Sequence, residues 1–392
     1  MEFAPRCIGC TARGLRRNSS RSTSAIGIQH ELTANGPIEI SSHQIKKNEM
    51  VQFWVRASVA VCLSLAIFAV AAMAESQRRE HFDHATVLYD WVSNSRGQQL
   101  RTFITRPNNS TGKVPVIFFV GWLSCDTMES PDPTSDDGFG ILLRRLIDQS
   151  GYATVRMDKP GVGESQGNCA QADFKDEMEG WRAAFDSMLK YDFIDSDRVF
   201  VVGLSNGGGF SPLATGNHRV LGFISCSSWG RTWYEHMLEL ERRRLTEANK
   251  SPAEVNAAVK SFAEFYNLYL MKGMTPGRVI AEHPDWKDLW YDSPDGQYGR
   301  PAAFYQQLQS LNLGEVWQSV TAPVLVIRGS ADTIMSQADS EAIAQIVNQA
   351  HPGHARYLQM EEMTHGFTVN GRFYETLVPI ILNWIQEHLV SK

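Results

Sequence analysis

The chain has 392 residues, 43% of them apolar and 20% charged, with a formal net charge of −6. That balance excludes a wholly disordered chain, a collagen, a coiled coil and a polytopic membrane protein. With 37 basic against 43 acidic residues there is no positive excess for a nucleic-acid backbone, and six cysteines are too few for a disulfide scaffold.

Residues 1–49 are polar, rich in Ser and Arg, and show no sustained apolar period. After Arg56 comes an apolar run from Ala57 to Ala74 that closes on Ala72-Met73-Ala74. A basic flank, an apolar stretch and small residues at the end form an export signal, so cleavage before Glu75 is expected and the mature protein is expected to be exported. The alternative is a retained anchor through residues 57–74, just long enough to span a bilayer; only then would the membrane be a partner. An apolar segment this far in suggests that Met50 is the true start and that residues 1–49 are an extension, or else an Arg-rich targeting stretch. Cys7-x-x-Cys10 lacks a second ligand pair and reads as chance, not zinc. Residues 1–74 carry eight basic and four acidic side chains, so the mature chain would hold a charge of −10.

The remaining chain alternates strands and helices. Residues 85–92 and 100–105 alternate apolar and polar, as strands do, around the turn at 94–98. Residues 114–120 form a continuous β-rich run, expected of a buried parallel strand. A helix over 139–149 is stopped by Gly151. Further strands are expected at 152–157, 198–203, 220–225, 323–328 and 355–360, with helices at 174–191, 337–350 and 374–390. This alternation predicts an α/β fold with a mostly parallel central sheet covered on both faces. Residues 229–318 break the rhythm with helices expected at 232–246, 252–270 and 301–311 and many aromatics. They read as a helical cap inserted between core parts 75–228 and 319–392. Most of the aromatics should pack helix on helix; a few should line a pocket at the strand ends. Cys125 and Cys169, both in loops after strands, are the best candidates for a disulfide in an exported chain, and Cys226 reads as a buried free thiol.

The chemistry centres on Gly203-Leu204-Ser205-Asn206-Gly207. The expected strand at 198–203 runs straight into it, and Gly207-Gly208-Gly209 follow. A strand-to-helix turn of this kind holds a serine hydroxyl out as a nucleophile, and the helix N-terminus supplies positive potential for a developing oxyanion. A serine needs a base. His365 follows the strand expected at 355–360, and Asp332 follows the strand at 323–328, which gives the order Ser, Asp, His with all three at strand ends. Ser205 is expected to attack, His365 to shuttle the proton, and Asp332 to fix the imidazole tautomer. Asp339 and Glu362 are rival acids. His283, His351 and His354 sit in polar stretches with no strand leading in.

From about residue 85 to 390 the chain resembles the α/β-hydrolase superfamily. Besides the serine turn and Gly329-Ser-Ala-Asp332, the segment Asp158-Lys-Pro-Gly161-Val-Gly163-Glu-Ser165 is similar to its D-x-x-G-x-G-x-S loop after strand four. The cap and export signal look most like prolyl-oligopeptidase-like and serine-aminopeptidase-like hydrolases, or exported esterases of that build. The superfamily usually has His-Gly after strand three; here Val120-Gly121-Trp122-Leu123 keeps only the glycine. The resemblance implies that the N–H groups of Trp122 and Asn206 form the oxyanion hole, with Trp122 narrowing the acyl side and Ser124 and Asp126 as turn residues or substrate contacts. No H-e-x-x-H-type metal motif, Walker A loop or dinucleotide fingerprint is present, so no metal or cofactor is expected. The expected activity is hydrolysis of a small carboxylic ester through an acyl-enzyme. The alternative is a serine aminopeptidase or dipeptidyl-peptidase-like enzyme acting on short peptides, which needs a cap carboxylate such as Glu235, Glu239 or Glu241 for the α-ammonium group. A non-catalytic binding protein on the same fold is the remote third reading, and no segment of β-propeller length precedes the domain to suggest a full oligopeptidase.

Overall fold

The computed structural model describes residues 79–390. The expected extension, the signal segment with its cleavage point and Cys7-x-x-Cys10 lie outside the described residues. No described helix is long and apolar enough to cross a membrane.

The core opens with β1 (Ala85–Ser93), β2 (Gln99–Pro107) and β3 (Val114–Val120), then α1 (Gly138–Ser150), β4 (Ala153–Met157), α2 (Phe174–Met188), β5 (Ile194–Leu204), α3 (Asn206–Ala214) and β6 (Gly222–Cys226). The cap follows: α4 (Trp233–Glu247), α5 (Pro252–Tyr266), a π-helical turn at Asn267–Met271, α6 (Pro276–Glu282), a 3-10 turn at Pro284–Leu289, the hairpin β7 (Gly296–Gln297) and β8 (Arg300–Pro301), α7 (Ala302–Gln309) and α8 (Leu313–Gln318). The core closes with β9 (Val324–Gly329), α9 (Gln337–Ala350), β10 (Ala355–Met360), the small hairpin β11 (Thr368–Val369) and β12 (Arg372–Phe373), and α10 (Leu377–Val390).

Eight strands make one sheet in the order β1-β2-β4-β3-β5-β6-β9-β10. The β1–β2 and β2–β4 pairs are antiparallel, and all the others are parallel. The sequence explains where each strand sits. β9 is buried at every position and β3 at all but its first, as their unbroken apolar runs require of central parallel strands. The edge strands are mostly half-buried or exposed: β1 buries only Ala85 and Val92, and β10 only Met360. The helices pack in two groups, α1 with α10, and α2, α3, α8 and α9 in succession.

Local signals set the ends. Asp137 caps α1 by accepting from Phe139 and Gly140 N–H, and Gly151 ends it at φ 68°. α10 begins at Leu377, three residues later than expected, with Pro379 in its first turn, where a missing N–H costs nothing. Within the cap, α4 and α5 with its π turn fall where helices were expected, and α7 lies inside the third expected span. The short α6, α8, the 3-10 turn and both two-residue hairpins were not expected, because elements of two to seven residues hold less than two turns of periodic pattern.

Candidate active site

β5 runs into Ser205, which stands at φ 53° and ψ −126° before α3 begins. That backbone region is unusual for a residue with a side chain. Its N–H bonds the carbonyl of Cys226 on β6 at 2.9 Å, and its carbonyl accepts from Gly208 at 3.0 Å. The turn has no room for side chains nearby: a Cβ on Gly207 would stand 2.2 Å from the Gly121 carbonyl oxygen and 2.5 Å from that of Val120. Hence α3 starts directly against the end of β3. This contact brings the residue after the serine, Asn206, beside the loop that begins with Gly121 and Trp122.

The other two predicted residues meet Ser205 from β9 and β10. The Ser205 hydroxyl lies 2.9 Å from His365 Nε2, and His365 Nδ1 lies 3.0 and 3.1 Å from the two Asp332 carboxylate oxygens. Asp332 is 3% exposed, and its Oδ1 also accepts the N–H groups of Ile334 and Met335, each at 2.9 Å. Burial pushes the Asp332 carboxyl up, but His365 and these two N–H donors outweigh it and hold the group below the usual carboxylate range. The imidazole is braced by Phe139, edge-on at 5.9 Å, which also packs on Trp122 at 5.1 Å and Phe367 at 4.7 Å.

The rival residues are occupied elsewhere. Asp339 sits in the capping box of α9 with Ser336 and also holds His236 at 3.0 Å and Arg231 at 2.8 Å. Glu362 is exposed on the turn after β10. His283 stacks on Trp286 at 4.2 Å, and His351 pairs with His354 at 5.6 Å. Ser124 donates to Asp126 at 2.6 Å within its own turn.

The loop after β3 is fixed from below by groups that sequence reasoning missed. Lys159, fully buried, donates to the Trp122 carbonyl at 2.6 Å and to the Ser124 carbonyl. Asp158 accepts from Met128 N–H at 2.7 Å and the Thr127 hydroxyl at 2.6 Å. Burial lowers Lys159 to about 8 and raises Asp158 to about 6. Both belong to the Asp158–Ser165 segment that carries the resemblance; the available signal is two adjacent charges directly after the buried strand β4. A disulfide joins Cys125 to Cys169, as expected, and Cys226 is buried and free. The burial of Cys226 lifts its thiol to about 12. Beside the bridge, Arg300 from β8 makes a buried ion pair with Glu177 of α2.

Among the described residues no cluster of three or more His, Cys, Asp or Glu could hold a metal ion. What the arrangement offers is a hydroxyl, an imidazole and a carboxylate in one hydrogen-bonded line, beside a helix N-terminus.

The mostly parallel eight-stranded sheet, with its serine turn between β5 and α3, defines a serine hydrolase of the α/β-hydrolase superfamily. Residues 142–370 match the family model described as serine aminopeptidase, S33, and the chain belongs to that family. No curated protein sequence matches it significantly. Among solved structures it is similar to Est1E from Butyrivibrio proteoclasticus with ferulic acid bound, at 17% identity and a TM-score of 0.53, over 77% of this chain and 100% of that one. DcsB in complex with its substrate analogue is similar at 16% identity and a TM-score of 0.50, over 78% and 100%. At such identities the likeness concerns the fold.

Proposed function

We propose that the protein is an exported serine hydrolase that cleaves small carboxylic esters through an acyl-enzyme. The observation that carries this reading is the continuous line from the Ser205 hydroxyl through His365 to Asp332. Ser205 Oγ attacks the ester carbonyl while His365 Nε2 takes its proton. The tetrahedral oxyanion lies between the N–H groups of Trp122 and Asn206. Collapse breaks the C–O bond, and His365 returns the proton to the leaving alcohol. Water then attacks the acyl-enzyme with His365 again as base, releasing the acid and Ser205. Asp332 stays ionised throughout and orients the imidazole.

The ester reading is favoured over the aminopeptidase reading by the state of the cap carboxylates. Glu241 is fully buried and accepts from Tyr291 at 2.8 Å and Arg244 at 2.7 Å. Glu239 pairs with Arg243 at 3.2 Å. Glu235 closes the capping box of α4 with Thr232. All three are occupied by protein groups, so none is free to anchor an α-ammonium group. The Cys125–Cys169 bridge supports an oxidising compartment and so export; N-terminal sequencing of the exported protein distinguishes cleavage before Glu75 from a retained anchor.

The decisive assay compares a short p-nitrophenyl ester with an aminoacyl p-nitroanilide, using Ser205→Ala as control. Ester turnover is expected, and kcat should fall by about 10⁴-fold or more in the variant. Faster anilide turnover would move the assignment to an aminopeptidase. Ester turnover that survives Ser205→Ala would remove the serine from the mechanism.

A further inference from the structure

The loop Asp332-Thr333-Ile334-Met335 is held by arginine at each of its four carbonyls. From the core, the buried Arg328 of β9 donates through Nη2 to the Asp332 carbonyl and through Nε to the Met335 carbonyl, each at 2.8 Å. From the cap, Arg243 of α4 donates through Nη1 to the Thr333 carbonyl and through Nη2 to the Ile334 carbonyl at 3.1 Å. Glu239, one helical turn before Arg243, accepts from its Nε and Nη2 at 3.2 Å each, which fixes the plane of the guanidinium fork. Thr333 and Ile334 are both exposed, between the end of β9 and the start of α9.

The two carbonyls that Arg243 takes belong to the peptide groups that grip the triad acid. The Thr333–Ile334 peptide carries the Ile334 N–H, and the Ile334–Met335 peptide carries the Met335 N–H. Both N–H groups donate to Asp332 Oδ1 at 2.9 Å. Neither peptide is cis, so in each the C=O and the N–H point opposite ways within one rigid plane. Each peptide is therefore a stiff link, with the cap guanidinium at one end and the Asp332 carboxylate at the other. A cation at the carbonyl also polarises the peptide and strengthens the N–H at its far end as a donor. The gripped oxygen is one of the two that face His365 Nδ1, at 3.1 Å.

We propose that Arg243 is a positioning residue for the triad: through the Thr333–Ile334 and Ile334–Met335 peptides it sets the Asp332 carboxylate against His365. The cap thereby takes part in assembling the catalytic line without touching the reacting atoms. Arg328 holds the two ends of the loop from the strand below, whereas Arg243 holds its middle, where the donors to the carboxylate arise. The inference rests on the Ser205–His365–Asp332 reading and extends it to a residue outside the core.

The test is a double-mutant cycle on the short p-nitrophenyl ester, with each rate divided by the folded fraction read from thermal unfolding. Arg243→Met keeps the apolar stem and removes the fork. It should lower kcat about tenfold, as loss of the partner behind a metal ligand does, and leave KM within about twofold of its original value. In Asp332→Ala there is no carboxylate for the two peptides to hold, and the residual rate still exceeds that of water. Adding Arg243→Met there should change kcat by less than about twofold. Arg243→Lys keeps the charge but not the fork that spans both carbonyls. It should lose less than Arg243→Met, again only where Asp332 is present, and it carries the test if Arg243→Met does not fold. Equal fold-losses with and without Asp332 would overturn the proposal, because a strut that only steadies the cap acts in both backgrounds. So would an unchanged kcat in Arg243→Met, or a loss confined to KM, which would place Arg243 against the substrate. Ser205→Ala separates this proposal from the reading beneath it. Turnover that survives Ser205→Ala fails the triad itself, whereas a serine-dependent rate indifferent to Arg243 fails the positioning role alone.

Discussion

Ser205 occupies a backbone conformation, φ 53° and ψ −126°, that only glycine adopts without strain. Such strain costs on the order of 1–3 kcal/mol and is held in place by its surroundings, here the bond to Cys226 and the close approach of α3 to β3. Ser205→Gly should therefore abolish ester turnover and yet raise the free energy of unfolding by about 1 kcal/mol, read by urea denaturation. A loss of stability would mean that the turn is not strained. At Asp332 the sign runs with pH. Its carboxyl is held below the ordinary value, so it stabilises the fold above about pH 4 and that contribution fades as the pH drops through its lowered value. The stability gap between the intact protein and Asp332→Asn should be widest at neutral pH and close in acid. The same substitution should lower kcat by about 10⁴-fold through the wrong imidazole tautomer. Ser205, Asp332 and His365 were legible in the sequence because each follows the carboxyl end of an expected strand, in the order Ser, Asp, His. Lys159 and Asp158 were not, since burial by distant segments, not local pattern, gives them their role.

Elements were legible in proportion to how completely they are buried or how regularly they alternate. All eight strands of the main sheet have counterparts in the expected set, β3 because its whole length is apolar and β9 because of the apolar run Val324–Ile327. β5 begins earlier than expected, at Ile194, because its first turn of sequence, Asp195-Ser-Asp197, is polar and its strand conformation comes from pairing of Ile194 with Val114. The join between β5 and α3 is the most tightly specified part of the molecule. Gly207→Ala would drive a methyl group into the Val120 and Gly121 carbonyls, and neither backbone can yield without moving β3. It should cost about 3 kcal/mol and lower kcat more than a cavity mutation of equal cost, such as one in α10. Equal losses of activity at matched stability would argue that the contact only supports the fold.

Across the whole molecule, one buried charge pair that ties the cap to the core stands apart from the His236–Asp339 contact. Arg300 of β8 reaches Glu177 of α2 with both side chains almost fully buried. Removing one partner leaves a buried charge unpaired and should cost about 3–5 kcal/mol, whereas replacing both with apolar residues of similar size should cost much less. Arg300→Met, Glu177→Leu and the double variant, compared by thermal unfolding, give this as a cycle. Additive losses would show that the two groups do not depend on each other. Periodicity announced a helical insertion, but not this tether: a lone arginine in a two-residue strand gives no pattern from which to read its partner 123 residues away.

The Cys125–Cys169 bridge encloses the segment that carries α1, β4 and the Asp158–Lys159 pair, and it closes three residues beyond Trp122. It therefore sets an order of events. A chain that folds where thiols stay reduced lacks the clamp on one wall of the oxyanion hole and forgoes about 2–4 kcal/mol of stability. Full hydrolytic competence would then be reached only where thiols are oxidised, so that a copy held in a reducing space would stay short of it. Titration with dithiothreitol should lower kcat/KM as well as the melting temperature, and reoxidation should restore both.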